Sequence, residues 1–63
     1  MISVYGLQRE YLGSSFSFGE AKRMQAASLP DDLAPFYYGI GFDGQPLFDS
    51  DTPDELMTRY GIE

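Results

Sequence analysis

Ile2 to Leu7 is an apolar run with β-branched and aromatic residues, which predicts a first strand. Tyr11 to Phe18 either extends that strand or forms a second one after a turn at Gln8-Arg9-Glu10. Gly13-Ser14-Ser15 within it predicts a loop or bulge. The period then lengthens. Ser17-Phe18-Gly19-Glu20 has capping-box spacing, with Ser17 as N-cap and Glu20 at the third helical position, and predicts a helix over residues 18–28. Phe18, Ala21, Met24 and Ser28 fall on one side of that helix, and Glu20, Arg23 and Ala27 fall opposite. This moderately apolar stripe suits the cover of a sheet. Pro30 and Pro35 bracket Asp31-Asp32-Leu33-Ala34 and predict a single helical turn or a tight loop.

Phe36 to Phe42 is the clearest strand, and Gln45 to Ser50 is the second arm of a hairpin across Asp43-Gly44. A two-residue type I′ turn needs positive φ at both central residues, which Asp-Gly supplies. That loop sets Phe42 opposite Gln45, Ile40 opposite Leu47 and Tyr38 opposite Asp49. Phe36, Tyr38, Ile40, Phe42 and Leu47 then share one face, with Phe36 and Tyr38 as packing residues. Tyr37 points the other way and Phe48 lies across Gly39, so these two are the candidate interface aromatics. Pro46 belongs at an edge. Thr52-Pro53-Asp54-Glu55 is a second capping box, followed by Leu56, Met57 and Tyr60 at helical spacing. Glu55 and Arg59 form an i, i+4 pair, and Gly61 suits a left-handed stop with Ile62 packing back. The sum is a single small acidic α+β domain over residues 1–63, in the order β-α-β-β-α. It has a small antiparallel sheet and helices packed on one face.

Charge changes this picture most. Residues 1–30 carry Glu10 and Glu20 against Arg9, Lys22 and Arg23, for +1. Residues 31–63 carry Asp31, Asp32, Asp43, Asp49, Asp51, Asp54, Glu55 and Glu63 against Arg59, for −7. Free nucleic acid and anionic membranes attract positive patches, so a basic protein is the natural counterpart of this surface. The run at the N-terminus lacks the basic and long apolar parts of a signal peptide, and no stretch approaches the roughly 20 apolar residues of a membrane span. The expectation is a monomer in the cytoplasm of a bacterial host cell.

Catalysis has little to work with. The chain has no His and no Cys, which removes the commonest general base and the thiolate nucleophile, and a single Lys leaves the serines without an activating base. No catalytic residue, cofactor or metal site is therefore assigned. Asp49-Ser50-Asp51-Thr52-Pro53-Asp54-Glu55 has oxygen ligands for calcium but lacks the glycine and span of an EF-hand loop. Acids at a helix start are accounted for by the dipole. The aromatic run Phe36-Tyr37-Tyr38 lacks the positive groove of a single-strand binder, and Lys22-Arg23 reads as a solvated helix face. The acids themselves remain: Asp31, Asp32, Asp43, Asp49, Asp51, Asp54 and Glu55. Asp49 and Asp51, two apart on an extended segment, would lie about 7 Å apart on one face. Such a ridge either keeps the protein soluble or imitates a phosphate backbone toward a protein with a basic groove.

In size, acidic surface, the Ser17-Phe18-Gly19-Glu20-Ala21-Lys22-Arg23 helix start after a strand, and the Asp43-Gly44 hairpin, the chain resembles the small phage-encoded anti-CRISPR proteins. Members of that group inhibit type I surveillance complexes, and among them are acidic inhibitors of type I-C systems. The resemblance implies a non-enzymatic inhibitor that occupies a DNA-binding surface of a CRISPR effector subunit as a DNA mimic. It implies no particular residues, and the acids above come from the charge argument. The alternative is another small acidic protein–protein interaction module, such as an antirestriction protein, a toxin-neutralising partner or a phage accessory protein.

Overall fold

The computed structural model describes residues 1–62; Glu63, counted in the charge above, lies outside the described residues. The chain runs β1 (Ile2–Tyr5), β2 (Tyr11–Ser15), α1 (Phe18–Ala27), a 3-10 turn (Ala34–Phe36), β3 (Tyr37–Ile40), β4 (Pro46–Phe48) and α2 (Asp54–Arg59). The class is α+β with antiparallel pairing. The order is β-β-α-β-β-α, one strand more than β-α-β-β-α, because Tyr11–Ser15 turns back rather than extending β1. The strands form two separate two-stranded sheets, β1-β2 and β3-β4.

The first hairpin closes through Gly6 N–H to the Glu10 carbonyl at 2.9 Å and Arg9 N–H to the Gly6 carbonyl at 3.1 Å. Its register shifts between Val4 and Tyr5, so Val4 faces Gly13 while Tyr5 faces Tyr11. Leu12 is the extra residue, and Gly13 beside it takes the bend. α1 starts where the capping spacing puts it: the Ser17 hydroxyl accepts from Glu20 N–H at 3.2 Å. The helix packs on β1 and β2 and reaches β3. Its inward stripe, however, is Ala21, Gln25 and Leu29, while Phe18 is exposed and Met24 half-buried. The core is correspondingly small: Val4, Ala21, Leu29 and Leu33.

The second hairpin lies where Asp43-Gly44 puts it, but one residue out of the expected register. Gly44 N–H bonds the Gly41 carbonyl at 2.8 Å, and Gly41 N–H bonds the Gln45 carbonyl at 2.8 Å. Phe42 and Asp43 are thus the central turn residues, and Gly44 follows with φ +85°. This is a three-residue loop, a turn followed by a left-handed residue, and not a two-residue type I′ loop. Ile40 now faces Pro46, Gly39 faces Leu47 and, past a bulge, Tyr37 faces Phe48. A one-residue slip exchanges the two faces of a strand. Gly39 is buried and Tyr37 half-buried, while Tyr38, Leu47 and Phe42 are turned to solvent.

The two hairpins meet where the second turn lies against β1. Tyr5 N–H donates to the Gly44 carbonyl at 3.0 Å. Gln25, fully buried, donates from Nε2 to the same carbonyl at 3.1 Å and to the Tyr5 carbonyl, and its Oε1 accepts the Tyr37 hydroxyl at 2.7 Å. One helical side chain therefore joins β1, the turn and β3. Burial pushes the Tyr37 phenol pKa up, which keeps the hydroxyl a donor.

Candidate functional site

The acids are distributed by the β3–β4 hairpin. Its base is closed by Asp49 N–H to the Phe36 carbonyl at 2.8 Å, and its tip is the turn that contains Asp43. Strand rise separates the two ends by about 15 Å. Asp43 therefore stands apart. Its Oδ1 accepts Gln45 N–H at 3.1 Å and so shapes the turn.

The other six gather around α2 and the loop before β3. Asp49, Ser50, Asp51 and Thr52 form a turn, not the extended segment expected. Thr52 N–H reaches the Asp49 carbonyl at 3.0 Å, and Asp49 Oδ1 accepts Asp51 N–H at 3.1 Å. A short Asp side chain bonding the backbone two residues on favours this bend over a strand. Thr52 is buried and spends its hydroxyl on the Asp49 carbonyl at 2.6 Å, so it does not cap α2; Pro53 takes the N-cap position. Asp54 and Glu55 occupy the first turn of α2, where acids are favoured. Gly61 has φ +68°, and Ile62 N–H returns to the Met57 carbonyl at 2.8 Å, so the expected left-handed stop is formed.

Arg59 faces two of these acids. It donates to Asp32 Oδ2 at 2.8 Å and to Glu55 Oε1 at 3.1 Å, and the Tyr60 hydroxyl donates to Asp32 Oδ1 at 2.7 Å. Asp32 and Glu55 thus serve internal contacts that tie α2 to the loop. Asp31, Asp49, Asp51 and Asp54 are exposed and make no ion pair among the described residues. Also among the described residues, no three acidic side chains come together to hold a metal ion.

The Tyr60 hydroxyl first, then the backbone N–H of Asp32 itself and the Arg59 guanidinium, hold the Asp32 carboxyl below its ordinary value against a smaller opposing desolvation; the same Tyr60 bond holds the Tyr60 phenol above its own. Because folding lowers the Asp32 pKa, this contribution to stability is present above the ordinary aspartate pKa of about 3.9 and is lost as pH falls through the lowered value. Tyr60→Phe is expected to move the Asp32 midpoint back up toward the ordinary value in a carboxyl-carbon NMR titration from pH 7 to 2. An unmoved midpoint would assign the shift to the Asp32 backbone N–H and Arg59 instead.

Tyr37 and Phe48 do not stand open. Their rings meet edge to face at 6.3 Å across the hairpin, and the Tyr37 hydroxyl is committed to Gln25. The exposed aromatics are others. Phe42 is fully exposed at the turn, Phe18 stands at the start of α1, and Tyr11, Phe16 and Tyr38 are also open. Phe42 followed from the sequence only through the loop length, which Asp-Gly does not settle. No described helix is long and apolar enough to cross a membrane. No protein-family model, curated protein or solved structure matches the chain.

Proposed function

We propose that the protein is a non-catalytic binding module whose acidic end occupies a basic, nucleic-acid-binding surface of a partner protein. A CRISPR effector subunit is the partner that the resemblance in size and surface implies. The observation that supports this reading is the gathering of six carboxylates around α2 and its preceding turns with one guanidinium among them. Duplex DNA carries a charge every 1.7 Å or so along its axis, so the four carboxylates left free of Arg59 match about 7 Å, or two base pairs. The end of the molecule is therefore suited to the short stretch where a duplex is first engaged, not to a long groove.

Four exposed acids carry the contact: Asp31, Asp49, Asp51 and Asp54. The combined variant Asp49→Asn, Asp51→Asn and Asp54→Asn removes three charges and keeps an amide oxygen at 49 for the turn. It is expected to weaken binding to a purified type I-C effector complex at least tenfold at low salt and to flatten the salt dependence. Competing duplex DNA should displace the parent protein. Full binding by the triple variant, or capture indifferent to DNA and salt, would take the contact away from this end.

A further inference from the structure

The tip of the β3–β4 hairpin and the start of β1 enclose a second surface. Met1, Ile2, Phe18, Ile40 and Phe42 line an open groove there, with Asp43 on its rim. Met1, Phe18 and Phe42 are 79%, 63% and 108% exposed, so these apolar side chains contribute little to the core. Each is held by the backbone for a reason that has nothing to do with exposure. Phe42 is a central residue of the three-residue loop. Phe18 is the first residue of α1, fixed by the Ser17 cap. Met1 precedes β1. A concentration of exposed large apolar side chains on one concave surface marks a contact site.

Charge selects the occupant. Asp43 forms no ion pair among the described residues, neither with Arg59, which is engaged elsewhere, nor with the α-amino group of Met1 in the same groove. Its Oδ1 accepts Gln45 N–H at 3.1 Å, and no described donor bonds its Oδ2. A second copy of this chain would bring another net charge of −6, which opposes self-association. We propose that the groove anchors a basic apolar motif of a partner protein, an aromatic or branched aliphatic side chain with a Lys or Arg beside it in sequence. The apolar side chain fills the space between Phe18 and Phe42, and the basic group pairs with Asp43. Buried aromatic anchors of this kind carry most of the energy of an interface, while exposed charge mainly steers. The surface is independent of the acidic end, a hairpin's length away.

The test uses the full-length ¹⁵N-labelled protein and two synthetic peptides, acetyl-KFLK-amide and acetyl-EFLE-amide. The basic peptide is expected to shift the backbone amides of Ile40, Gly41, Asp43 and Gly44 saturably in the millimolar range, and the acidic peptide is not. Phe42→Ala, at a fully exposed position, should leave the melting temperature unchanged and weaken the basic peptide about tenfold; Phe18→Ala provides the same readout from the other wall. Asp43→Asn should remove most of the preference for the basic peptide. Equal shifts from both peptides, shifts centred away from the groove, or groove amides that move with the protein's own concentration would each overturn the proposal, the last by showing a second copy as the occupant.

Discussion

Gly44→Ala is expected to lower the melting temperature by about 12–24 °C, or to leave the chain unfolded at room temperature. Gly44 sits at φ +85°, where an L side chain is strained by about 1–2 kcal/mol. A Cβ there would lie 2.5 Å from Tyr5 Cδ2 and 2.8 Å from the Ser3 carbonyl oxygen. The ring can turn aside, but the carbonyl belongs to the β1 backbone and yields only if β1 moves. Moving β1 away breaks the Tyr5 N–H bond to Gly44 and the Gln25 bonds that hold the two hairpins together. Strain and lost contacts together cost about 3 kcal/mol. A domain of this length has about 3–9 kcal/mol of stability in total, and each kcal/mol corresponds to about 4–8 °C. Gly61→Ala is the matched control. It also has positive φ, at +68°, but nothing lies within 4 Å of its Cβ, so it bears the strain alone. Thermal unfolding of both variants by circular dichroism separates the two effects. Equal losses at 44 and 61 would mean that the turn does not press on β1.

Gln25→Leu is the second large effect. Leucine fits a helix as well as glutamine and has a similar volume. It leaves the Tyr5 carbonyl and the Tyr37 hydroxyl without their partner, in a region with no unsatisfied buried side-chain group among the described residues. A buried polar group left unpaired costs about 1–3 kcal/mol, so a loss of about 3 kcal/mol is expected. Gln25→Glu adds a sign test. Burial raises the pKa of a carboxyl there, so the protonated form is favoured in the fold. The stability of that variant should be greatest below the ordinary glutamate pKa and fall as pH rises through the raised value, opposite to the Asp32 behaviour. Urea denaturation at pH 4 and pH 7 reads the difference. A Gln25→Leu protein within 3 °C of the parent would show that the two hairpins hold together without the hub.

What could be read from the sequence follows from how local each signal is. The start of α1 depends on Ser17, whose hydroxyl takes the Glu20 N–H; the reciprocal half of the capping box does not form among the described residues, because the Ser17 N–H donates to Ser15 Oγ at 3.2 Å and not to the Glu20 carboxylate. The end of α2 depends on Gly61, and both ends lie where the spacing places them. The existence of the second hairpin was equally local. Its register was not, because Asp-Gly serves a two-residue loop as the central pair and a three-residue loop as its last two positions. Gly41 decides between them by supplying the closing carbonyl, and that single-residue difference exchanged Tyr38 with Tyr37. Gln25 was invisible for another reason. Its stripe is Ala21-Gln25-Leu29, at i, i+4 and i+8, and a polar residue in that row reads as surface until two unrelated backbone carbonyls converge on it. Among the acids, sequence gave no sign that Asp32 faces Arg59 and Tyr60, 27 and 28 residues away.

α2 is six residues long and has no buried residue. A free helix of that length does not persist in water, because nucleation outweighs what so few turns return. It exists here because Thr52 anchors the turn before it and Asp32 grips its last turn. Such an element is expected to open locally at a lower free energy than the Gln25 junction, which ties both hairpins to α1. The molecule is therefore mechanically graded, tightly tied at the Gln25 junction and held by fewer contacts at its charged end. The amide protons of that end are expected to exchange first, while those around Gln25 stay protected.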